Sequence, residues 1–241
     1  MSFRLALLSK QRRVLASYAC LCAFALLSGS LAPRDATAQT VDKSADNLMV
    51  VIRETPGANK QDEALEPMGK LRARLADGKE VELELATFKF LGDMQIRFVF
   101  DGPVSMLNAI PQDLARLHLS PEQALRLAVD NLKRVYGAPV ATPWTGGLMQ
   151  VQGKSSDLDS SYFLDREFWR ARLREHPEGI LVAVPKRGGL VFVPLSDGQA
   201  VDTLRRGVTY LYSSSEYLRV SSALYLFKDD HWAVFQPPHK P

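Results

Sequence analysis

The chain has 241 residues, a net charge of +3 and a sequence pI near 8.8. Five of its 30 basic residues but only one of its 27 acidic residues lie in the first 38 positions, which leaves 25 basic and 26 acidic residues after them. Nucleic-acid binding depends on an excess of positive charge, so this balance excludes a nucleic-acid partner.

The first 38 residues have the pattern of an export signal. An apolar run over residues 14–27 is followed by Ala36-Thr37-Ala38, a small-x-small cleavage site, and is preceded by the basic residues Arg4, Lys10, Arg12 and Arg13. We predict a signal peptide at 1–38, cleavage after Ala38 and a periplasmic or secreted location. A retained anchor is the alternative, because residues 14–32 are long enough to span a bilayer. In either case the export signal is the predicted contact with the membrane.

The two cysteines, Cys20 and Cys22, both lie inside this signal, so the predicted mature chain has no thiol. Its stability must then come from a hydrophobic core, and the chain after position 38 is long enough to build one. We predict a single domain over residues 39–241. A possible lobe boundary lies near residues 138–147, where two prolines and a glycine pair favour a linker.

The first half of the mature chain has mainly strand patterns. β-Branched and apolar residues predict a buried strand over residues 48–52, and a Pro- and Gly-containing charged segment predicts a solvated loop over 55–68. Alternation predicts two strands over residues 81–100 with a turn at Gly92-Asp93. A short helix is predicted to begin near Pro111.

Residues 119–136, LSPEQALRLAVDNLKRVY, have the clearest helix pattern. Ser120 is a good N-cap with Gln123 as its capping-box partner, and Gly137 is a stop signal. Asn131 interrupts the apolar face of this helix. A buried amide must find partners, so we predict that Asn131 ties a neighbouring loop or strand to the helix, with a ligand contact as the alternative.

The second half alternates strands and helices. The patterns predict a polar loop at 154–161, helices at 166–175 and 198–212 capped by Asp165 and Asp197, and strands at 148–151, 180–184, 190–195, 223–227 and 232–235. Strands joined by tight turns are antiparallel. The predicted fold class is therefore α+β, with antiparallel β-hairpins covered by about three helices and possibly divided into two lobes.

With these elements in place, the sequence resembles the YtpQ-like family, a bacterial family of unknown function. The matching segments cover most of the mature chain and are residues 47–53, 98–101, 119–124, 128–132, 168–169 and 181–185. These motifs are of the kind that holds a fold together, and the resemblance implies no catalytic residue. An export signal departs from the cytosolic pattern usual in that family, so an intracellular role does not carry over.

Candidate chemistry is sparse. The four histidines have no metal-ligand spacing and the mature chain has no Cys, so we predict no metal and no cofactor. Asp157 and Asp159 are interpreted as part of a solvated loop, since the remaining ligands of a calcium loop are missing. A triad of Ser214 or Ser221 with His231 and an aspartate is the alternative that would make the protein an envelope hydrolase.

Aromatic residues crowd into the last fifth of the chain, and most are expected in the core. The candidate partner-binding residues among them are Tyr212, Tyr217, Tyr225 and Trp232, since aromatic side chains with a polar tip suit interfaces. The first hypothesis is an exported, non-enzymatic binding or assembly module that uses aromatic surface or sheet edges. Its partner would be a protein, peptide or glycan of the cell envelope. A subunit whose sheet edges pair with one another is a further alternative.

Overall fold

The computed structural model describes residues 40–74 and 77–239. The predicted signal peptide and its cleavage site lie outside the described residues. Within those ranges, no helix combines the length and the apolar composition that crossing a membrane requires. From Thr40 onward, the described residues form one compact unit that includes the predicted lobe boundary at 138–147.

Helices and strands occupy similar shares of this unit. The described residues form four α-helices, α1 (Pro111–Arg116), α2 (Pro121–Tyr136), α3 (Arg166–Glu175) and α4 (Gly198–Ser213), and a 3-10 segment at Ser156–Leu164. The strands are β1 (Leu48–Glu54), β2 (Glu66–Pro67), β3 (Lys70–Arg74), β4 (Glu80–Glu84), β5 (Thr87–Lys89), β6 (Met94–Phe100), β7 (Leu107–Asn108), β8 (Val140–Pro143), β9 (Met149–Gln152), β10 (Ile180–Lys186), β11 (Gly189–Pro194), β12 (Leu224–Lys228) and β13 (His231–Gln236).

Every strand pair among these elements is antiparallel. The first sheet has the order β1-β6-β5-β2, with β7 also paired to β6, and β1 runs along β6 from Leu48 opposite Phe100 to Glu54 opposite Met94. The second sheet has the order β13-β12-β10-β11-β9-β8. This architecture confirms the predicted α+β class, with four helices in place of about three.

Alternation along the strands divides the core in two. One face of the second sheet presents Val182, Phe192 and Tyr225 to a large core that it shares with the first sheet, α2 and Trp169 of α3. The opposite face presents Leu181 and other residues to α4, in a smaller core. Because successive side chains of a strand point to opposite faces, both sides of the central strands are covered.

Helix α2 begins and ends as its sequence predicts. The Ser120 side chain accepts from the Gln123 N–H at 3.2 Å, and the Gln123 side chain accepts from the Ser120 N–H at 2.8 Å. Asn131 is 4% exposed and donates to the carbonyls of Leu48 at 2.9 Å and Ala45 at 2.8 Å. The predicted role of Asn131 as a tie to a neighbouring strand is confirmed, since Leu48 is the first residue of β1.

Three local predictions are wrong. The segment predicted as a linker contains β8, because its apolar residues extend the second sheet beside β9. The predicted polar loop at 154–161 overlaps the 3-10 segment, whose Asp159 is buried and accepts from the Gly153 N–H at 2.8 Å. The strand near residue 81 does not continue the β5–β6 hairpin, because it pairs with β3 in a separate two-stranded sheet.

Candidate functional site

A groove of about 670 Å³ lies beside α2 and the start of α3. Its apolar lining comprises Ala64, Leu65, Phe90, Leu125, Val129, Leu164 and Trp232, and we call it the α2–α3 groove. Leu125 and Val129 are one helical turn apart on α2, which places both side chains on the same face. The volume is within the range of about 300–1,000 Å³ that ligand pockets have.

Charged side chains of both signs surround this lining. Lys133 connects the two helices, with its Nζ 2.8 Å from Oε2 of Glu167 and 3.5 Å from Oδ1 of Asp165. Partial burial lowers the pKa of Lys133, but the hydrogen bond to Glu167 and the charge of Asp165 outweigh this effect, so its pKa is raised. Lys133 is therefore a fixed cation on the rim of the groove.

Glu63 joins the groove to the edge of the second sheet. Its carboxylate accepts from the Trp232 backbone N–H at 2.9 Å and pairs with the guanidinium of Arg166. Trp232 belongs to β13, the edge strand, so Glu63 occupies a main-chain donor that would otherwise be open to another strand. This main-chain donor of the sheet edge is therefore satisfied within the chain.

The four predicted partner-binding residues occupy three different environments. Tyr225 is 0% exposed and Trp232 is 5% exposed, and both belong to the large core. Tyr212 is half-buried and donates to Glu54, whereas Tyr217 is 79% exposed. Since two of the four are buried, the structure does not bring them together as one exposed aromatic face. Of these four residues, Trp232 is the one that lines the groove.

Trp232 is buried because it belongs to an aromatic cluster. Its ring stacks on Phe163 at 4.0 Å between centroids and meets Trp169 edge-on at 5.3 Å. Stacked and edge-on contacts of this kind add to the stabilisation that burial gives. Trp232 therefore contributes an apolar edge to the groove and not a broad exposed ring.

The serines of the hydrolase alternative have other partners. Ser221 is 0% exposed and donates to the Asp93 carboxylate, while its Oγ lies 2.7 Å from the Tyr225 hydroxyl. Ser214 donates to the Leu211 carbonyl at 3.2 Å. In the described chain neither serine is hydrogen-bonded to His231, so the geometry lends the hydrolase alternative no support. Within the same ranges, no three side chains of His, Cys, Asp or Glu are grouped to hold a metal.

Comparisons with protein-family models, with curated proteins and with solved structures each find no significant match for this chain. The resemblance to the YtpQ-like family therefore stays a prediction.

Sequence reasoning missed the groove although it named several of its residues. The helical period of residues 119–136 predicts an apolar face of α2 that includes Leu125 and Val129. An apolar helix face has the same pattern whether it is fully covered or borders an opening. The Lys133–Glu167 pair spans two elements and gives no signal in the sequence.

Proposed function

We propose that the protein is an exported, non-enzymatic binding module whose α2–α3 groove receives a short peptide segment of a partner protein in the cell envelope. The observation that carries the proposal is an open apolar groove rimmed by charges of both signs. An apolar lining supplies affinity for aliphatic or aromatic side chains. The charged rim suits the polar main chain and the flanking charges of a peptide.

A peptide fits this site better than a glycan does. Trp232 is stacked on Phe163 and presents little ring surface. The groove therefore does not offer a broad aromatic face on which a sugar ring would stack. The remaining apolar lining is mostly aliphatic, with Leu65, Leu125 and Val129 among its members. Aliphatic side chains recognise apolar side chains through burial, which amounts to about 25 cal/mol per Å² of apolar surface.

The proposal is tested with a displayed library of random seven-residue peptides, selected on the purified full-length protein. Binding of a selected peptide is then measured by fluorescence anisotropy to the wild type and to Leu125→Glu, which places a charge in the lining. We expect Leu125→Glu to weaken binding by at least about tenfold, equivalent to about 1.4 kcal/mol.

Val135→Glu is the matched control for this experiment. Val135 is on the same helix, is 40% exposed and does not line the groove. It receives the same charge, so it reports any general effect of a glutamate on α2. A selection that yields no peptide, or peptides that bind Leu125→Glu as tightly as the wild type, would contradict the proposal.

A further inference from the structure

Three arginines from separate parts of the chain approach one another away from the groove. Arg53 is opposite Gln95 in the β1–β6 ladder, and Arg97 is two residues further along β6. Their side chains therefore share one face of the first sheet as diagonal neighbours, about 7–8 Å apart. Arg187 lies in the turn between β10 and β11. Its carbonyl accepts from the Ser160 N–H at 2.8 Å, in the 3-10 segment that packs against β1, and its charge acts on Arg53 and Arg97. All three are half-buried.

No acidic side chain of the described residues forms an ion pair with Arg53, Arg97 or Arg187 within 4.0 Å, although 13 such pairs occur elsewhere in them. Arg53 donates instead to its neighbour's carbonyl, that of Ile52, at 2.8 Å, and Arg187 donates to the Tyr217 carbonyl at 3.5 Å. By contrast Lys89, on the same sheet face, pairs with Glu66 at 2.9 Å.

Several donors in this region are buried without a partner in the described chain. They include Nε of Arg97, Nε of Arg187 and the hydroxyl of Thr87. Thr87 is 2% exposed and is directly opposite Arg97 in the β5–β6 ladder, so its side chain is on the same sheet face. A buried donor without a partner costs about 1–3 kcal/mol, so a folded protein normally supplies one.

The positive charges of these arginines repel one another. Burial lowers the pKa of Arg53 to about 10, and repulsion from Arg187 and Arg97 contributes to the same shift. Burial and repulsion from Arg187 lower the pKa of Arg97 as well. The negative charge of Asp157 raises the pKa of Arg53, but Asp157 is exposed to solvent, which screens its charge. An anion bound among the three guanidinium groups would relieve this repulsion and satisfy the unpaired donors.

We propose that Arg53, Arg97 and Arg187 form a binding site for a phosphate group, either free phosphate or a phosphate ester. Three guanidinium groups carry more positive charge than one carboxylate neutralises, which favours a doubly charged oxyanion. The planar fork of arginine donates two parallel hydrogen bonds to a phosphate, which is why arginine is favoured at such sites. This site is independent of the peptide groove.

The test measures binding of inorganic phosphate to the full-length protein by isothermal titration calorimetry, together with the shift in melting temperature that phosphate causes. Sodium chloride at the same ionic strength is the reference. We expect saturable phosphate binding that raises the melting temperature above the chloride reference, because a ligand that binds only the folded state stabilises it. Glycerol phosphate forms a second arm, and tighter binding of either ligand distinguishes an ester from the free ion.

Variants assign the binding to the three arginines. Arg187→Gln changes a turn residue and is therefore compatible with folding, and Arg97→Gln changes the strand. Each is expected to weaken phosphate binding at least about tenfold. Arg205→Gln, an exposed arginine of α4, is expected to bind as the wild type does. Phosphate binding that equals the chloride effect, or that survives in Arg187→Gln, would overturn the proposal.

Discussion

The burial of Asp93 has a measurable consequence for stability. It follows Gly92 in the β5–β6 turn and is 3% exposed, with its carboxylate accepting from Ser221 and, at 3.1 Å, from Tyr225. Burial raises the pKa of Asp93 to about 6 from an ordinary value of 3.8, even though both hydrogen bonds favour the charged form. The folded state therefore holds a proton at pH 5 that the unfolded state releases.

This proton makes stability depend on pH. A raised pKa in an acid favours the folded state at low pH, and that contribution is lost as the pH rises from about 4 through about 6. Asn in place of Asp93 retains an acceptor oxygen but does not ionise. The free energy of unfolding of Asp93→Asn minus that of the wild type is expected to increase by about 2–3 kcal/mol as the pH rises from 4 to 7. Urea unfolding at four pH values measures this difference, and a constant difference would contradict it.

The tie between α2 and β1 is the interaction to test at the level of elements. Capping and propensity account for the ends of α2, but its position on the first sheet depends on contacts with β1 and β6. Asn131 supplies a polar part of that contact by donating to two carbonyls at the start of β1. Side-chain hydrogen bonds to main-chain groups fix one element against another where apolar packing alone permits sliding.

Asn131→Ala removes both donors and leaves the carbonyls of Ala45 and Leu48 without this partner. We expect a loss of about 1–3 kcal/mol in the free energy of unfolding, although alanine's better helix propensity offsets a few tenths. Arg126→Ala, an exposed change on the same helix, should stay within about 0.5 kcal/mol of the wild type. Equal stability of the two variants, measured by urea unfolding, would show that this tie does not contribute.

For the described unit as a whole, the core shared by the two large sheets determines how the protein unfolds. Residues of both large sheets, α2 and α3 belong to one buried cluster, and Tyr225 of β12 reaches Asp93 beside β6. The turn at Gly92 approaches Tyr225 so closely that a Cβ there would lie 2.5 Å from its hydroxyl oxygen. A compact core crossed by such contacts favours unfolding in one cooperative step.

We therefore expect a single unfolding transition in urea. Two of the three tryptophans, Trp169 and Trp232, lie in the shared core, whereas Trp144 is 37% exposed. Tryptophan fluorescence consequently reports loss of the core, and far-UV circular dichroism reports loss of helices and strands. The midpoints from the two signals should coincide. Midpoints that differ would indicate that one sheet unfolds before the other, as separate lobes would.

The sequence by itself determined much of the local structure of this protein. Caps such as Ser120 and Asp197, the stop at Gly137 and the alternating strands act within a few residues, so they predict helices and hairpins correctly. Antiparallel pairing and the α+β class follow from tight turns. Local patterns were insufficient at β8 and at Ser156–Leu164, where polar or Pro-containing residues are ordered by neighbouring strands.

Only the tertiary structure decided the sites. The groove depends on how α2 lies beside α3. The arginine site brings together β1, β6 and the β10–β11 turn, which are distant from one another in the sequence. Asp93 has the sequence signature of a surface turn, but packing of Tyr225 and Ser221 buries it. Such placements follow from which sheet faces meet. Side-chain periodicity specifies that a face is apolar but not which partner covers it.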